Sequence, residues 1–152
     1  MGRIRQKTSK PKIYAFSEYE SQGCFSEQYP WLSFLYMTCN KNHSLEFLEK
    51  IQGKQREENL LKLYKRFEEL TSQPWIYWEQ QPKRSGLETI PYDRLKFSSN
   101  SRISLSKDTP LYVFRFDTYQ GSGKGRMIGF KKSPCAAFHI IGYDFDFSAY
   151  SH

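Results

Sequence analysis

Along residues 55–71 the apolar positions recur every three or four residues, so that Leu60, Leu63, Tyr64, Phe67 and Leu70 form one stripe. Glu57, Glu58, Lys62, Lys65, Arg66, Glu68 and Glu69 fill the opposite face. That period predicts an amphipathic helix, with Glu58 and Lys62 one turn apart as a favourable ion pair. A shorter helix is expected just before it. Ser44 can cap it, Glu46 stands in its first turn, and Leu45, Leu48 and Ile51 share a face until Gly53 breaks the run. A third helix is expected near Pro74, a residue suited to a first turn, and it carries Trp75 and Trp78, both read as core.

Past Pro82 the texture changes to short alternating runs. Strands are expected at 96–98, 102–105, 111–117, 126–130 and 136–144, with an earlier buried strand at 31–37. In 111–117, Tyr112, Phe114 and Phe116 share one face, and Val113, Arg115 and Asp117 the other. In the last strand strict alternation puts Ala137, His139, Ile141 and Tyr143 together, opposite Phe138, Ile140 and Gly142. Gly121-Ser122-Gly123-Lys124-Gly125 reads as a flexible connection that touches a partner. Short loops between strands imply an antiparallel meander. Helices followed by strands is the order of an α+β fold, with the N-terminal helices packed on one face of a C-terminal antiparallel β-sheet.

Composition narrows the class. The 152 residues suit a single domain over 13–152, and 17% aromatic content supplies enough bulk for a core. No apolar run approaches the roughly 20 residues a membrane span needs, so no membrane partner is expected. The N-terminus lacks the apolar segment of a secretory signal. Three cysteines, Cys24, Cys39 and Cys135, are an odd and irregular set, which points to a reduced, cytoplasmic protein.

Charge brings function into view. The chain carries a net +7, distributed unevenly. Arg3, Arg5, Lys7, Lys10 and Lys12 give residues 1–12 a charge of +5 with no acid, and this tail is expected to be disordered. Residues 13–82 carry net −3, and residues 83–152 net +5. An acidic middle between two basic ends suggests a polyanionic partner met by the tail and the C-terminal half.

Several constellations can be set aside on spacing. The glycine loop lacks the Ser/Thr and the following helix of a phosphate-binding P-loop, since Gly123-Lys124 runs into Gly125 and a strand. Cys39/His43 and Cys135/His139 could make two zinc-ligand pairs, but the second spans a strand and would stand about 13 Å apart. Asp144 and Asp146 are too few for a magnesium site. No metal and no cofactor is therefore expected. What remains is the basic sheet. His139 and Tyr143 on one face, with Arg126 and Lys131 on the neighbouring strand and Arg115 across the sheet, could hold a phosphodiester. Arginine would neutralise the phosphate while histidine or tyrosine moves protons. Lys124 in the glycine loop and Tyr150 near the terminus complete the set. Phe145, Phe147 and Tyr150 are expected to pin the C-terminus onto the core.

The order of helices, a strand ending in Arg115, then Gly125-Arg126-Met127-Ile128-Gly129-Phe130, then Phe138-His139-Ile140-Ile141-Gly142-Tyr143, resembles the RelE/ParE toxin superfamily over about residues 44–152. The segment Phe138-His139-Ile140-Ile141 with Asp144, Asp146-Phe147-Ser148, Tyr150 and His152 is also similar to uncharacterised prokaryotic and prophage-type proteins. The resemblance implies an RNA-directed, toxin-like protein of a toxin-antitoxin or phage-defence system. Such a protein would be a metal-independent mRNA endoribonuclease acting on RNA or the ribosome, restrained by a cognate antitoxin or other protein partner. Carried over by position, Arg115 and Arg126 would grip phosphate, and His139, Tyr143 or Tyr150 would transfer protons. The alternative is a non-enzymatic nucleic-acid- or protein-binding module.

Overall fold

The computed structural model describes residues 29–132 and 136–151; the expected disordered tail at 1–12, with Cys24 and Cys135, lies outside them. The architecture is α+β: a five-stranded sheet with helices against one face. The strands are β1 (Trp31–Ser33), β2 (Leu87–Pro91), β3 (Pro110–Thr118), β4 (Gly121–Lys131) and β5 (Ala137–Asp144). Between β1 and β2 come two 3-10 turns, Lys41–His43 and Leu45–Lys50, and the helices α1 (Gly53–Ser72) and α2 (Trp75–Gln80). Strand order is β1-β5-β4-β3-β2. Four strands form the expected antiparallel sheet, but β1 pairs parallel with β5, so the sheet is mixed.

Local chemistry explains the helical elements. The Ser44 hydroxyl accepts from the Glu46 amide, 3.2 Å, and opens the 3-10 turn. α1 stops at Ser72 because Pro74 disfavours a helical conformation at Gln73, whose φ and ψ are −123° and 146°. Leu63 and Leu70 face the sheet, Phe67 packs at its margin, and Leu60 and Tyr64 stay exposed, so the buried stripe is narrower than the expected one. Glu58 and Lys62 form their ion pair at 2.7 Å. Trp75 and Trp78 are core, each indole donating to a backbone carbonyl: Ala136 at 2.9 Å and Leu70 at 3.0 Å.

The strand expectations need three corrections. The first strand ends at Ser33 instead of reaching Met37. Residues 96–98 and 102–105 are not strands; Phe97, Ile103 and Leu105 instead lie as irregular cover against the sheet face away from the helices. The edge strand β2 replaces them in the ladder, pairing Leu87 with Phe114 through Pro91 with Pro110. The glycine segment is not a loose connection either. Thr118 pairs with Gly121 around a two-residue turn, and β4 begins at once.

One irregularity decides which side chains share a surface. Ile128 pairs with Gly142 and Gly129 with Ile140, leaving Ile141 as an extra residue in β5. Such a bulge resets the alternation beyond it. Phe138 and Ile140 therefore face the helices, Ile141 faces away, and Tyr143 and Phe145 return to the helix side. The far face is sealed by the 92–105 segment and the C-terminus, joined where the Lys96 amide donates to the Ala149 carbonyl at 2.8 Å.

Candidate functional site

The expected catalytic cluster does not assemble. Tyr143 is 1% exposed within the helix-side core, against Phe145 and with its backbone carbonyl 3.3 Å from His43 Nδ1. His139 stands on the opposite face, between the rings of Tyr36 and Phe130, with Nδ1 2.9 Å from the Ser33 hydroxyl. Arg126 shares that face but lies four residues along β4 from His139's partner Phe130, about 13 Å of strand. The bulge at Ile141, invisible to strict alternation, is the physical reason Tyr143 lies on the opposite face from His139, and the β4–β5 register is the reason Arg126 lies far from it. Lys131 also faces the helix side, with its ammonium 4.9 Å from the Trp75 ring.

The titration of these groups follows their surroundings. Burial pushes the Tyr143 phenol well above its ordinary value, and burial pushes the Tyr150 phenol up to about 12. Neither is poised to take a proton near neutrality. Burial, aided by the Lys132 ammonium, lowers His139, which keeps its imidazole neutral where it bonds Ser33.

Arg126 is held in an internal lattice. Its guanidinium meets Asp144 at 3.1 Å, and both side chains are all but inaccessible. The ring of Phe147 lies 4.2 Å and that of Tyr150 4.7 Å from the guanidinium carbon. Lys124 sits 5.7 Å from the same Phe147 ring. Phe147 takes the left-handed φ of 61°, a conformation costing roughly 1 kcal/mol that its stacking on Arg126 helps offset. Burial raises the Asp144 carboxyl above its ordinary value, against the pull of Arg126 and the backbone donors of Ala149 and Ser148. Phe145 and Tyr150 are buried as expected of a pinned terminus, and Tyr150 reaches Glu88 at 3.4 Å. This lattice fastens the C-terminal segment and buries the Arg126–Asp144 pair, while Phe147, expected to be pinned on the core, stays exposed above Arg126 beside the exposed Lys124.

A different group of cations is open. Where β2 begins at Leu87 it leaves the last residues of β3 uncovered, and α1 crosses nearby. The result is a concavity of about 330 Å³. α1 lends Lys62, Lys65, Arg66 and Glu69, the segment before β2 lends Arg84 and Ser85, and the β3–β4 hairpin lends Arg115, Asp117 and Gly123. Five cations and two carboxylates line the concavity, and Lys62 is also paired with Glu58 at 2.7 Å. Arg66 is fixed in place: it donates to Glu69 at 3.1 Å and to the Ser85 carbonyl at 3.0 Å, and its guanidinium carbon lies 4.9 Å from the Trp78 ring. Arg115 only approaches Glu88, at 3.9 Å. Lys65 and Arg84 make no ion pair among the described residues. Gly123, at φ 63°, accommodates the tight hairpin beside Arg115, and its amide donates to Asp117 at 2.8 Å.

Of the residues expected to meet substrate, only Arg115 lines this cleft. Arg115 pairs in register with Arg126, yet of the two only Arg115 borders open space. Sequence reasoning assigned Lys62, Lys65 and Arg66 to a solvated helix face and did not single out Arg84. The signal available was the basic cluster at i, i+3 and i+4 in α1 together with Lys83-Arg84. Among the described residues no His/Cys/Asp/Glu cluster of three has metal-binding proximity, and no helix is long and apolar enough to cross a membrane. Cys39 is an exposed free thiol, and His43 is engaged in the core against Phe97. No family model matches the chain, and no curated protein or solved structure matches it.

Proposed function

We propose that this protein is a nucleic-acid-binding module that grips the phosphate backbone of RNA in the basic cleft between α1 and the β3–β4 hairpin. The observation that carries this reading is the excess of cations in one concavity, with Lys65 and Arg84 not committed to carboxylates. Phosphate contacts supply most of the sequence-independent affinity for nucleic acid, and lysine and arginine in a groove are the means. The chain's net +7, including the basic residues at 1–12, adds long-range attraction of the same sign. Binding is favoured over cleavage because His139, Tyr143 and Arg126 do not converge, and a ribonuclease needs its base and acid on one phosphate. A toxin-like role with an antitoxin partner would require a nuclease centre other than this trio.

The test is a fluorescence-anisotropy titration of short single-stranded RNA at several salt concentrations. Wild type is expected to bind with a negative salt slope. The double variant Lys65→Ala/Arg84→Ala is expected to lose about tenfold in affinity, with the slope smaller by about 0.7 for each phosphate contact removed. The RNA is expected to be recovered intact. Unchanged affinity and slope in the folded double variant would overturn the assignment of the cleft. RNA cut by wild type but not by His139→Ala would overturn the choice of binding over cleavage.

A further inference from the structure

The cleft carries more positive charge than one internal phosphodiester can use. Two of its five cations are closely paired, Lys62 with Glu58 and Arg66 with Glu69, and Arg115 lies 3.9 Å from Glu88. That leaves Lys65 and Arg84 without an ion pair among the described residues, against the single negative charge of a diester. A terminal phosphomonoester brings about −1.5 to −2 at neutral pH and three acceptor oxygens. We infer, building on the RNA-binding reading above, that the cleft takes the phosphorylated end of an RNA strand, a phosphomonoester on a ribonucleoside.

Three features support that ligand. The first is rigidity: Arg66 is held by Trp78, Glu69 and the Ser85 carbonyl before any ligand arrives, so little ordering is left to do on binding. The second is size. A concavity of about 330 Å³ sits at the small end of the ~300–1,000 Å³ range of ligand pockets, suited to one nucleotide unit and not to a duplex surface. The third is the pair of carboxylates. Glu69 and Asp117 would repel a continuous polyanion but can accept hydrogen bonds from ribose hydroxyls, leaving Lys65, Arg84 and Arg115 to the phosphate.

The experiment compares one short single-stranded RNA in three forms, 5′-phosphorylated, 3′-phosphorylated and unphosphorylated, with AMP as competitor. Wild-type full-length chain is used beside Arg84→Ala, Lys65→Ala and the control Lys107→Ala, whose side chain is outside the cleft. One phosphorylated form is expected to bind about tenfold tighter than the unphosphorylated RNA, the effect of one added charge-assisted hydrogen bond. That preference is expected to disappear in Arg84→Ala and Lys65→Ala and to persist in Lys107→Ala, and AMP is expected to compete. Equal binding of all three RNAs would overturn end recognition while leaving backbone binding intact. AMP binding without RNA binding would assign the cleft to a free nucleotide and overturn the strand-end inference. Binding of neither would overturn both readings.

Discussion

Arg115 and Arg126 are cross-strand partners on β3 and β4, yet they belong to two regions with opposite uses of charge. Around Arg126, the carboxylate of Asp144 and two aromatic rings consume the guanidinium inside the protein. Around Arg115, the sheet edge opens and several cations outnumber their carboxylates. The same residue type therefore fastens the chain terminus in one place and, only loosely tied to Glu88 at 3.9 Å, lines an open cleft in the other. There Lys65 and Arg84 have no ion pair among the described residues. What separates them is cover: Phe147 and Tyr150 of the C-terminal segment close over Arg126, while β2, whose pairing stops at Phe114, leaves Arg115 at an open edge. A basic residue on a sheet is evidence for binding only when its neighbours leave it unneutralised.

This contrast can be broken most forcefully at Arg126. Arg126→Ala strands the Asp144 carboxylate in the interior and is expected to cost about 3–5 kcal/mol of stability in chemical denaturation. Replacing both partners, Arg126→Met with Asp144→Leu, is expected to recover most of that loss. If Arg126→Ala unfolds no more readily than wild type, the lattice is not the fastening described. The cleft should behave in the reverse way. Lys65→Ala/Arg84→Ala is expected to reduce RNA affinity by about tenfold while stability stays within roughly 0.5 kcal/mol of wild type. A large fall in melting temperature would place these side chains in the structural class instead.

Two smaller effects sharpen the boundary. Gly123→Ala imposes a Cβ at φ 63°, expected to cost about 1 kcal/mol, and its differential scanning calorimetry trace should show a correspondingly lowered midpoint. The smallest effect concerns His139. Its folded value is lowered by burial and by Lys132, so the unfolded chain takes up this proton first as pH falls. Its stabilising contribution is therefore complete above the unfolded value near 6.5 and is lost on acidification toward the folded value. His139→Gln is expected to flatten the dependence of stability on pH below about 6.5, measured by urea unfolding at stepped pH. An unchanged profile would remove His139 from that dependence.

Much of the fold is legible in the residues. Leu63, Phe67 and Leu70 announce α1, Pro74 dictates its end, and Tyr112 to Phe116 announce β3. β2 is harder to read because Leu-Glu-Thr-Ile-Pro is a five-residue edge strand held by one neighbour. Residues 96–105 mislead for the opposite reason: Phe97, Ile103 and Leu105 are apolar because they cover a sheet, not because they belong to one. The site is less legible still. The extra residue at Ile141 reverses the side on which Tyr143 lies, and alternation carries no sign of it. Lys62, Lys65 and Arg66 look like an ordinary polar helix face until tertiary packing brings Arg84 and the β3–β4 hairpin beside them.

The most direct test of where charge is available is amide chemical-shift mapping of the ¹⁵N-labelled chain during titration with single-stranded RNA. The account expects the perturbed amides to cluster at residues 62–69, 84–86, 115–117 and 122–123. Perturbation centred on His139, Tyr36 and Phe130, with those segments unmoved, would contradict it.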